Sequence, residues 1–197
     1  MPLCNPNNPD GRRFDAAELL GLLEARQGRG LLVVDESFTD LEDGTLSLVP
    51  HLPLPGLLIL RSLSKSYGLG GLRLGFALSA PELAASIRVR FGPWPVSGPA
   101  IAIGIKALSD GAWRAATRSR LQGDAKLLDA MLRGARLKPV GGTLLFRLAA
   151  GETAEAVYER LGKAGILVRR FERQPNWLRF GIPGDEAAWG RLSQALS

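Results

Sequence analysis

The sequence contains few of the residues that stabilise secreted, metal-binding or membrane proteins. Its 197 residues include one cysteine, Cys4, and one histidine, His51. A single cysteine cannot form an internal disulfide bond, which suits a reducing compartment, so we expect a cytoplasmic protein. The chain shows no ligand spacing typical of a metal site, and we predict none. The apolar runs 30–34 and 57–60 are far shorter than the roughly 20 residues of a membrane span, so we expect no membrane partner.

The charge of the chain comes mainly from arginine. Lysine and arginine outnumber aspartate and glutamate by 25 to 19, which gives a net charge of +6, and 20 of the 25 basic residues are arginine. The arginines are scattered and are not interleaved with aromatic residues, so we predict no nucleic-acid partner. A basic pocket for a small molecule with phosphate or carboxylate groups fits this composition better. The hydrophobic content of 46% is sufficient for a globular core.

A lysine and an arginine flank a turn rich in serine and glycine. Ser62, Ser64 and Lys65 follow the apolar run 57–60, and Arg73 comes eight residues after the lysine. A lysine amine can bond covalently to an aldehyde, and hydroxyl groups and a guanidinium can hold a phosphate. Pyridoxal 5'-phosphate needs both kinds of contact. Most Ser-x-Ser-Lys segments are nevertheless solvated turns, so this segment indicates the cofactor only in combination with other motifs.

Two upstream motifs provide that combination. Asn8, Pro9 and Gly11 belong to a run of turn-forming residues. Asp35 follows the apolar run 31–34, which is typical of a buried strand. Side chains at the C-terminal end of a parallel strand face the crevice in which α/β folds bind ligands. From the strand alone, a helix or turn cap is the favoured explanation for Asp35.

The order of these motifs resembles the fold-type I pyridoxal-phosphate enzymes of aminotransferase class I/II. The motifs are Asn-Pro-x-Gly, a strand that ends on aspartate, Ser-x-Ser-Lys, and an arginine eight residues after the lysine. The resemblance runs from Asn5 to about the end of the chain, and it is strongest to histidinol-phosphate aminotransferases and threonine-phosphate decarboxylases. These enzymes normally have a long N-terminal half before the Asn-Pro motif. We therefore expect the chain to correspond to their C-terminal part.

The resemblance implies a pyridoxal 5'-phosphate cofactor and a role for each motif residue. Lys65 would form the Schiff base with the cofactor and later act as acid and base. Asp35 would pair with the pyridine nitrogen, and Asn8 would hydrogen-bond the phenolic oxygen. The residues that would hold the phosphate are Ser62, Ser64 and Arg73.

The resemblance also implies how the substrate would bind. Arg179 matches the family arginine that binds the substrate α-carboxylate, and Arg169 resembles a position that contacts a distal phosphate. Arg170 and Arg173 are alternatives to Arg169. The partner expected from these roles is a small phosphorylated amino acid.

Periodicity predicts alternating strands and helices. The predicted strands are 31–34, 57–60, 73–79, 143–149, 166–169 and 177–182, and the predicted helices are 15–27, 82–90, 99–108, 112–133, 153–164 and 185–196. The resemblance implies an α/β fold, with part of a mostly parallel large-domain sheet covered by helices on both faces and a small C-terminal α/β domain. We place the partial cofactor-binding domain at residues 1–120 and the small domain at residues 121–197.

Two features bear on the reaction. Many family members have a tyrosine three residues after the aspartate, where this chain has Phe38, which cannot donate a hydrogen bond. The segment 90–97 is similar to the decarboxylase branch. We therefore predict decarboxylation of L-threonine O-3-phosphate to aminopropanol phosphate in cobalamin biosynthesis, by a homodimer. The first alternative is a histidinol-phosphate-like aminotransferase, and the second is a truncated, noncatalytic remnant.

Overall fold

The computed structural model describes residues 1–42 and 44–197, which form two compact units. The first unit comprises Met1–Asn7 and Arg13–Ala115, and the second comprises Asn8–Arg12 and Ala116–Ser197. The Asn-Pro-Asp-Gly motif that begins at Asn8 therefore belongs to the second unit, although it is distant from the rest of that unit in sequence. The assignment of functional domains at 1–120 and 121–197 stays a prediction.

The first unit is an α/β structure with one four-stranded sheet. Its strands are β1 (Pro2–Cys4), β2 (Leu32–Asp35), β3 (Leu57–Ser62) and β4 (Gly75–Ser79), and its helices are α1 (Ala16–Ala25), α2 (Pro81–Phe91) and α3 (Gly98–Ser109). The strands lie in the order β1-β2-β3-β4. The first three pair in parallel, and β4 pairs antiparallel with β3. This arrangement confirms the mostly parallel sheet expected from the sequence.

Alternate apolar side chains of the central strands form the core of this unit. Leu32 and Val34 of β2 and Leu57 and Ile59 of β3 are fully buried, and Leu19 of α1 packs in the same cluster. Because the two strands are parallel and in contact, their C-terminal ends lie side by side. The core therefore holds together the two strand ends at which the sequence predicts site residues.

Local signals set the limits of α1. The Asp15 side chain accepts a hydrogen bond from Glu18 N at 2.8 Å, and the Glu18 carboxylate accepts one from Asp15 N at 2.8 Å. This reciprocal capping box begins the helix. The helix ends at Ala25, slightly before the predicted end, because Gln27 and Gly28 both have left-handed φ angles.

The second unit combines helices with an antiparallel sheet. It contains most of α4 (Gly111–Gly134), followed by β5 (Lys138–Gly142), β6 (Phe146–Ala150), α5 (Ala154–Lys163), β7 (Arg169–Phe171), β8 (Gln174–Gly181) and α6 (Glu186–Leu196). The strands lie in the order β5-β6-β8-β7. Its core includes Leu128 of α4, Leu161 of α5 and Phe180 of β8, each at most 1% exposed. This is the small α/β structure expected at the C-terminus.

One strand of the second unit was not predicted and the start of another was wrong. The strand β5 contains Pro139, Gly141 and Gly142, which are unfavourable in strands, and the structure tolerates them because β5 lies at the edge of the sheet. The strand predicted at 166–169 begins only at Arg169. Ile166 instead completes the end of α5, where its N–H bonds to Leu161 O across a left-handed glycine.

The longest of the described helices is α4, with 24 residues. Arginine, lysine and aspartate are distributed along it. Among residues 1–42 and 44–197, no helix is both long and apolar enough to cross a membrane.

Candidate active site

Asp35 lies at the end of β2, and one of its carboxylate oxygens accepts hydrogen bonds from Ser37. The register pairs Asp35 with Leu60 of β3, and β3 continues to Ser62. Asp35 Oδ1 accepts hydrogen bonds from Ser37 N at 2.9 Å and from the Ser37 hydroxyl at 2.5 Å. In the part of the chain that the structure describes, no donor contacts Oδ2. The turn cap considered for Asp35 is therefore present, and its second oxygen is available to another donor.

The turn after β3 presents Lys65 at the surface of the first unit. Leu63 is 1% exposed and donates its N–H to Leu74 O at 3.3 Å, which anchors the turn. Ser64 N donates to Ser62 Oγ at 3.1 Å. The Lys65 side chain is exposed, and within residues 1–42 and 44–197 its Nζ has no hydrogen-bond acceptor. The amine is thus accessible on a turn whose backbone is held by its neighbours.

Arg73 has an unusual backbone conformation. It follows a short 3-10 turn, Gly70–Leu72, and has φ 54° and ψ 37°, in the left-handed region that residues with a Cβ rarely adopt. The strand predicted from residue 73 begins at Gly75 instead, because the left-handed residue still belongs to the turn. The Arg73 guanidinium is exposed and donates through Nη1 to Gly70 O at 3.2 Å. Its other N–H groups make no hydrogen bond to the described residues.

The groups around this turn fit a small molecule that carries an aldehyde and a phosphate. Lys65 supplies an exposed amine, and Arg73 supplies a planar donor suited to a phosphate. Ser66, next to the lysine, is 5% exposed, and its Oγ has no hydrogen-bond partner among the described residues. A buried hydroxyl without a partner is costly, so a polar ligand or water that pairs with it would be stabilising.

In the second unit, the segment Asn8–Arg12 lies against β5 through close backbone contacts. Gly142 N donates to Asp10 O at 3.0 Å. A Cβ atom on Gly141 would lie 2.0 Å from Asp10 O, and one on Gly11 would lie 2.0 Å from Gly142 O. Only glycine allows an approach this close, and we refer to Gly11, Gly141 and Gly142 as the glycine contact.

Arg179 of β8 binds Asn8 directly. Arg179 Nη1 donates a short hydrogen bond to Asn8 Oδ1, and its guanidinium lies 5.3 Å from the centre of the Phe146 ring. The two residues are 171 positions apart in sequence. The structure therefore brings together the predicted cofactor residue of the Asn-Pro motif and the predicted carboxylate-binding arginine.

Arg169 lies beside Arg179 on the sheet. The two are register partners on β7 and β8, so their side chains share one face. Burial lowers the pKa of Arg179, and the positive charge of Arg169 lowers this pKa further. Arg170 is paired elsewhere, with its guanidinium 5.2 Å from the Tyr158 ring centre and 3.6 Å from Glu155. The paired face therefore carries two adjacent guanidinium groups.

The predicted site residues fall into two groups. The first unit contains Asp35, Ser62, Ser64, Lys65 and Arg73, and the second contains Asn8, Arg169 and Arg179.

Neither Ser37 nor the glycine contact was predicted from the sequence. The Asp-x-Ser spacing is a signal for a hydrogen-bonded turn, and it would have found Ser37. Among the described residues, no group of three or more histidine, cysteine, aspartate or glutamate side chains is placed to hold a metal ion.

Comparison with known proteins identifies relatives along the whole chain. The family model for aminotransferase class I and II matches residues 1–196. A threonine-phosphate decarboxylase from Pseudomonas aeruginosa is 43% identical over 195 residues, which cover 98% of this chain and 58% of the relative. Another threonine-phosphate decarboxylase, from a Sinorhizobium species, is 45% identical over 197 residues, which cover 99% of this chain and 58% of the relative.

A solved structure matches equally well along the chain. The histidinol-phosphate aminotransferase from Sinorhizobium meliloti, in complex with pyridoxal-5'-phosphate, has a TM-score of 0.86 and 26% identity, and the match covers 99% of this chain and 55% of that one. The chain thus spans less than two thirds of each of these three relatives. The matches confirm the family and the α/β fold class predicted from the sequence, and enzymes of this family depend on pyridoxal phosphate.

Proposed function

The chain belongs to the aminotransferase class I and II family, and we propose that it forms part of an enzyme that decarboxylates L-threonine O-3-phosphate to aminopropanol phosphate. The observation that carries the proposal is the placement of Arg169 and Arg179 on one face of paired strands. Like charges directly opposite each other on a sheet are destabilising. A substrate with both a carboxylate and a phosphate would neutralise both guanidinium groups. Identities of 43% and 45% with two threonine-phosphate decarboxylases support this substrate and a role in cobalamin biosynthesis.

In the first unit, we propose that Lys65 bonds covalently to pyridoxal phosphate through its exposed Nζ. Asp35 would pair through Oδ2 with the protonated ring nitrogen, while Ser37 holds Oδ1 and orients the carboxylate. When bound, the cofactor supplies an electron sink for the charge that develops at the substrate Cα. Lys65 would then hold or move a proton at Nζ. The proposed phosphate ligands are Ser62, Ser64 and Arg73.

In the second unit, we propose that Asn8 hydrogen-bonds the phenolic oxygen of the cofactor. The side-chain amide of Asn8 can donate a hydrogen bond through Nδ2 while its Oδ1 accepts one from Arg179. Arg179 would bind the substrate α-carboxylate and Arg169 the distal phosphate. Arg170 is less suited to this role, since it is already paired with Glu155.

A histidinol-phosphate-like aminotransferase is the second candidate function. The match to the Sinorhizobium meliloti aminotransferase, with its TM-score of 0.86, favours it. Phe38 favours the decarboxylase, because it lacks the hydroxyl that many aminotransferases place there. A noncatalytic remnant is the third candidate. The homodimer and the cytoplasmic location stay predictions.

A cofactor titration tests the proposal. We expect pyridoxal phosphate to form an adduct that borohydride reduces and that peptide mapping locates on Lys65. Lys65→Ala should abolish this adduct, whereas Lys163→Ala, at an exposed lysine of α5, should leave it unchanged. Absence of an adduct in the unaltered chain would favour the noncatalytic remnant, and an adduct on another lysine would refute the assignment of Lys65.

Product analysis separates the two enzymatic candidates. With threonine phosphate as substrate, we expect release of carbon dioxide and aminopropanol phosphate. Arg169→Met should weaken binding of threonine phosphate more than binding of threonine, because only the former carries the phosphate. Formation of a keto acid without carbon dioxide would favour the aminotransferase.

A further inference from the structure

A buried cluster of charged side chains adjoins the proposed cofactor residues of the first unit. Glu36, directly after β2, is fully buried. Its carboxylate accepts hydrogen bonds from Leu48 N at 2.7 Å and from the Ser47 hydroxyl at 2.8 Å. Nε of Arg61 lies 3.0 Å from the same carboxylate, and Nη1 lies 2.6 Å from Asp40. We call Glu36, Asp40, Ser47 and Arg61 the Glu36–Arg61 network.

One guanidinium and one hydroxyl connect the whole network. Arg61 forms ion pairs with both carboxylates, and its Nη2 donates to Ser47 Oγ at 3.0 Å. Ser47 donates its hydroxyl proton to Glu36 and also accepts a hydrogen bond from Val49 N at 3.1 Å. The Ser47 hydroxyl therefore uses its donor and both of its lone pairs. These bonds fix the Ser47 hydroxyl between Glu36 and Arg61, whereas Arg61 Nε, although 3.0 Å from the Glu36 carboxylate, has no hydrogen-bond partner among the described residues.

The network lies on the opposite side of the strands from the proposed cofactor residues. Asp35 pairs with Leu60, and Glu36 N donates to Leu60 O at 2.8 Å, so the ladder continues one residue beyond β2. Since side chains alternate along a strand, Asp35 and Ser62 share one face, and Glu36 and Arg61 share the other. Glu36 thus adjoins Asp35 in sequence, Arg61 adjoins Ser62, and the contact between Glu36 and Arg61 joins the ends of β2 and β3.

We infer that Glu36 and Arg61 are positioning residues that hold Asp35 and the turn from Ser62 to Lys65 in register for the cofactor. Apolar side chains often stabilise a fold as well as a buried ion pair does, so stability alone does not account for this cluster. What an ion pair adds is a fixed geometry, and here it joins the two strand ends that carry the cofactor residues. The described contacts establish how Glu36 and Arg61 join the two strand ends. The expected effect on cofactor binding rests on the proposed function.

Hydrogen exchange of the chain without cofactor tests the geometric part. Glu36→Gln keeps the shape of the side chain but removes its charge, and we expect amide exchange in peptides covering residues 60–68 to accelerate at least tenfold. Ser47→Ala is a milder variant and should act in the same direction. The matched control is Arg147→Met, which breaks a partly buried pair with Asp129, at 2.7 Å and 2.8 Å, in the second unit. Exchange at 60–68 that is unchanged in Glu36→Gln and Ser47→Ala, or equally fast in the control, would overturn the inference.

A pyridoxal-phosphate titration tests the functional part. We expect Glu36→Gln and Ser47→Ala to raise the dissociation constant at least tenfold and Arg147→Met to leave it within twofold, although all three lower thermal stability. If the cluster only stabilises the fold, Glu36→Gln and Ser47→Ala should lower the melting temperature but bind pyridoxal phosphate as tightly as Arg147→Met does. That result would also overturn the inference. If the unaltered chain binds no cofactor while exchange at 60–68 accelerates as expected, the proposed function fails and the positioning of the turn stands.

Discussion

Gly141→Ala is the substitution whose effect the structure defines most clearly. The added Cβ would lie 2.0 Å from Asp10 O, and real Cβ atoms essentially never approach another atom below 3.0 Å. The segment from Asn8 would therefore have to move by about 1 Å away from β5. Because the obstacle is a backbone oxygen, no side-chain rotation can relieve the contact.

The expected cost follows from the two hydrogen bonds that depend on this contact. Displacement of Asp10 breaks its bond to Gly142 N, which contributes about 1 kcal/mol. It also weakens the charged bond from Arg179 to Asn8, which we set at about 1–2 kcal/mol because Asn8 is exposed. The free energy of unfolding should therefore decrease by about 2–3 kcal/mol.

Urea denaturation measures this change as a lower midpoint. The matched control is Gly123→Ala, in the middle of α4, where no atom of the described residues lies within 4 Å of the added Cβ apart from the neighbouring residues and backbone of the helix itself. That variant should gain about 0.5–1 kcal/mol because alanine favours the helix. Gly141→Ala combined with Asn8→Ala should lose less than the sum of the two single losses, since both remove the bond to Arg179. A Gly141→Ala chain as stable as the unaltered one, or strictly additive losses, would refute the reasoning.

Three further predictions concern single side chains. Burial raises the pKa of Asp40 above its usual 3.8 although Arg61 opposes this. The folded chain therefore holds that proton more tightly, and the contribution of Asp40 to stability falls as pH rises from 3.8 through the raised pKa. A carbon-13 NMR titration midpoint at or below 3.8 would contradict this. Phe180→Ala should lower the free energy of unfolding, measured by urea denaturation, by about 3–5 kcal/mol because this side chain is buried. Phe91→Ala, at a side chain 68% exposed, should lower it by about 0.5 kcal/mol or less. Equal losses in the two variants would contradict the packing argument. Asp15→Ala should cost about 1 kcal/mol by removing the capping box, and an unchanged midpoint would show that the cap does not stabilise the fold.

The sequence predicted those parts of the fold that depend on short-range signals. The apolar periodicity of residues 15–27 predicted α1, and apolar runs predicted β2 and β3, because neighbouring residues alone determine these patterns. The same holds for the family. Its motifs are short segments in a fixed order, and the match to the family model confirms the family that they predicted.

Only the tertiary structure decided which distant residues meet. Nothing in the local sequence indicates that Asn8 bonds to Arg179, or that Gly141 lies against Asp10, because these contacts join segments more than 100 residues apart. The edge position of β5 likewise allows a strand to form although its proline and glycines have low strand propensity. Motifs identify the chemical groups that a site needs, whereas long-range packing determines how those groups are oriented and what supports them.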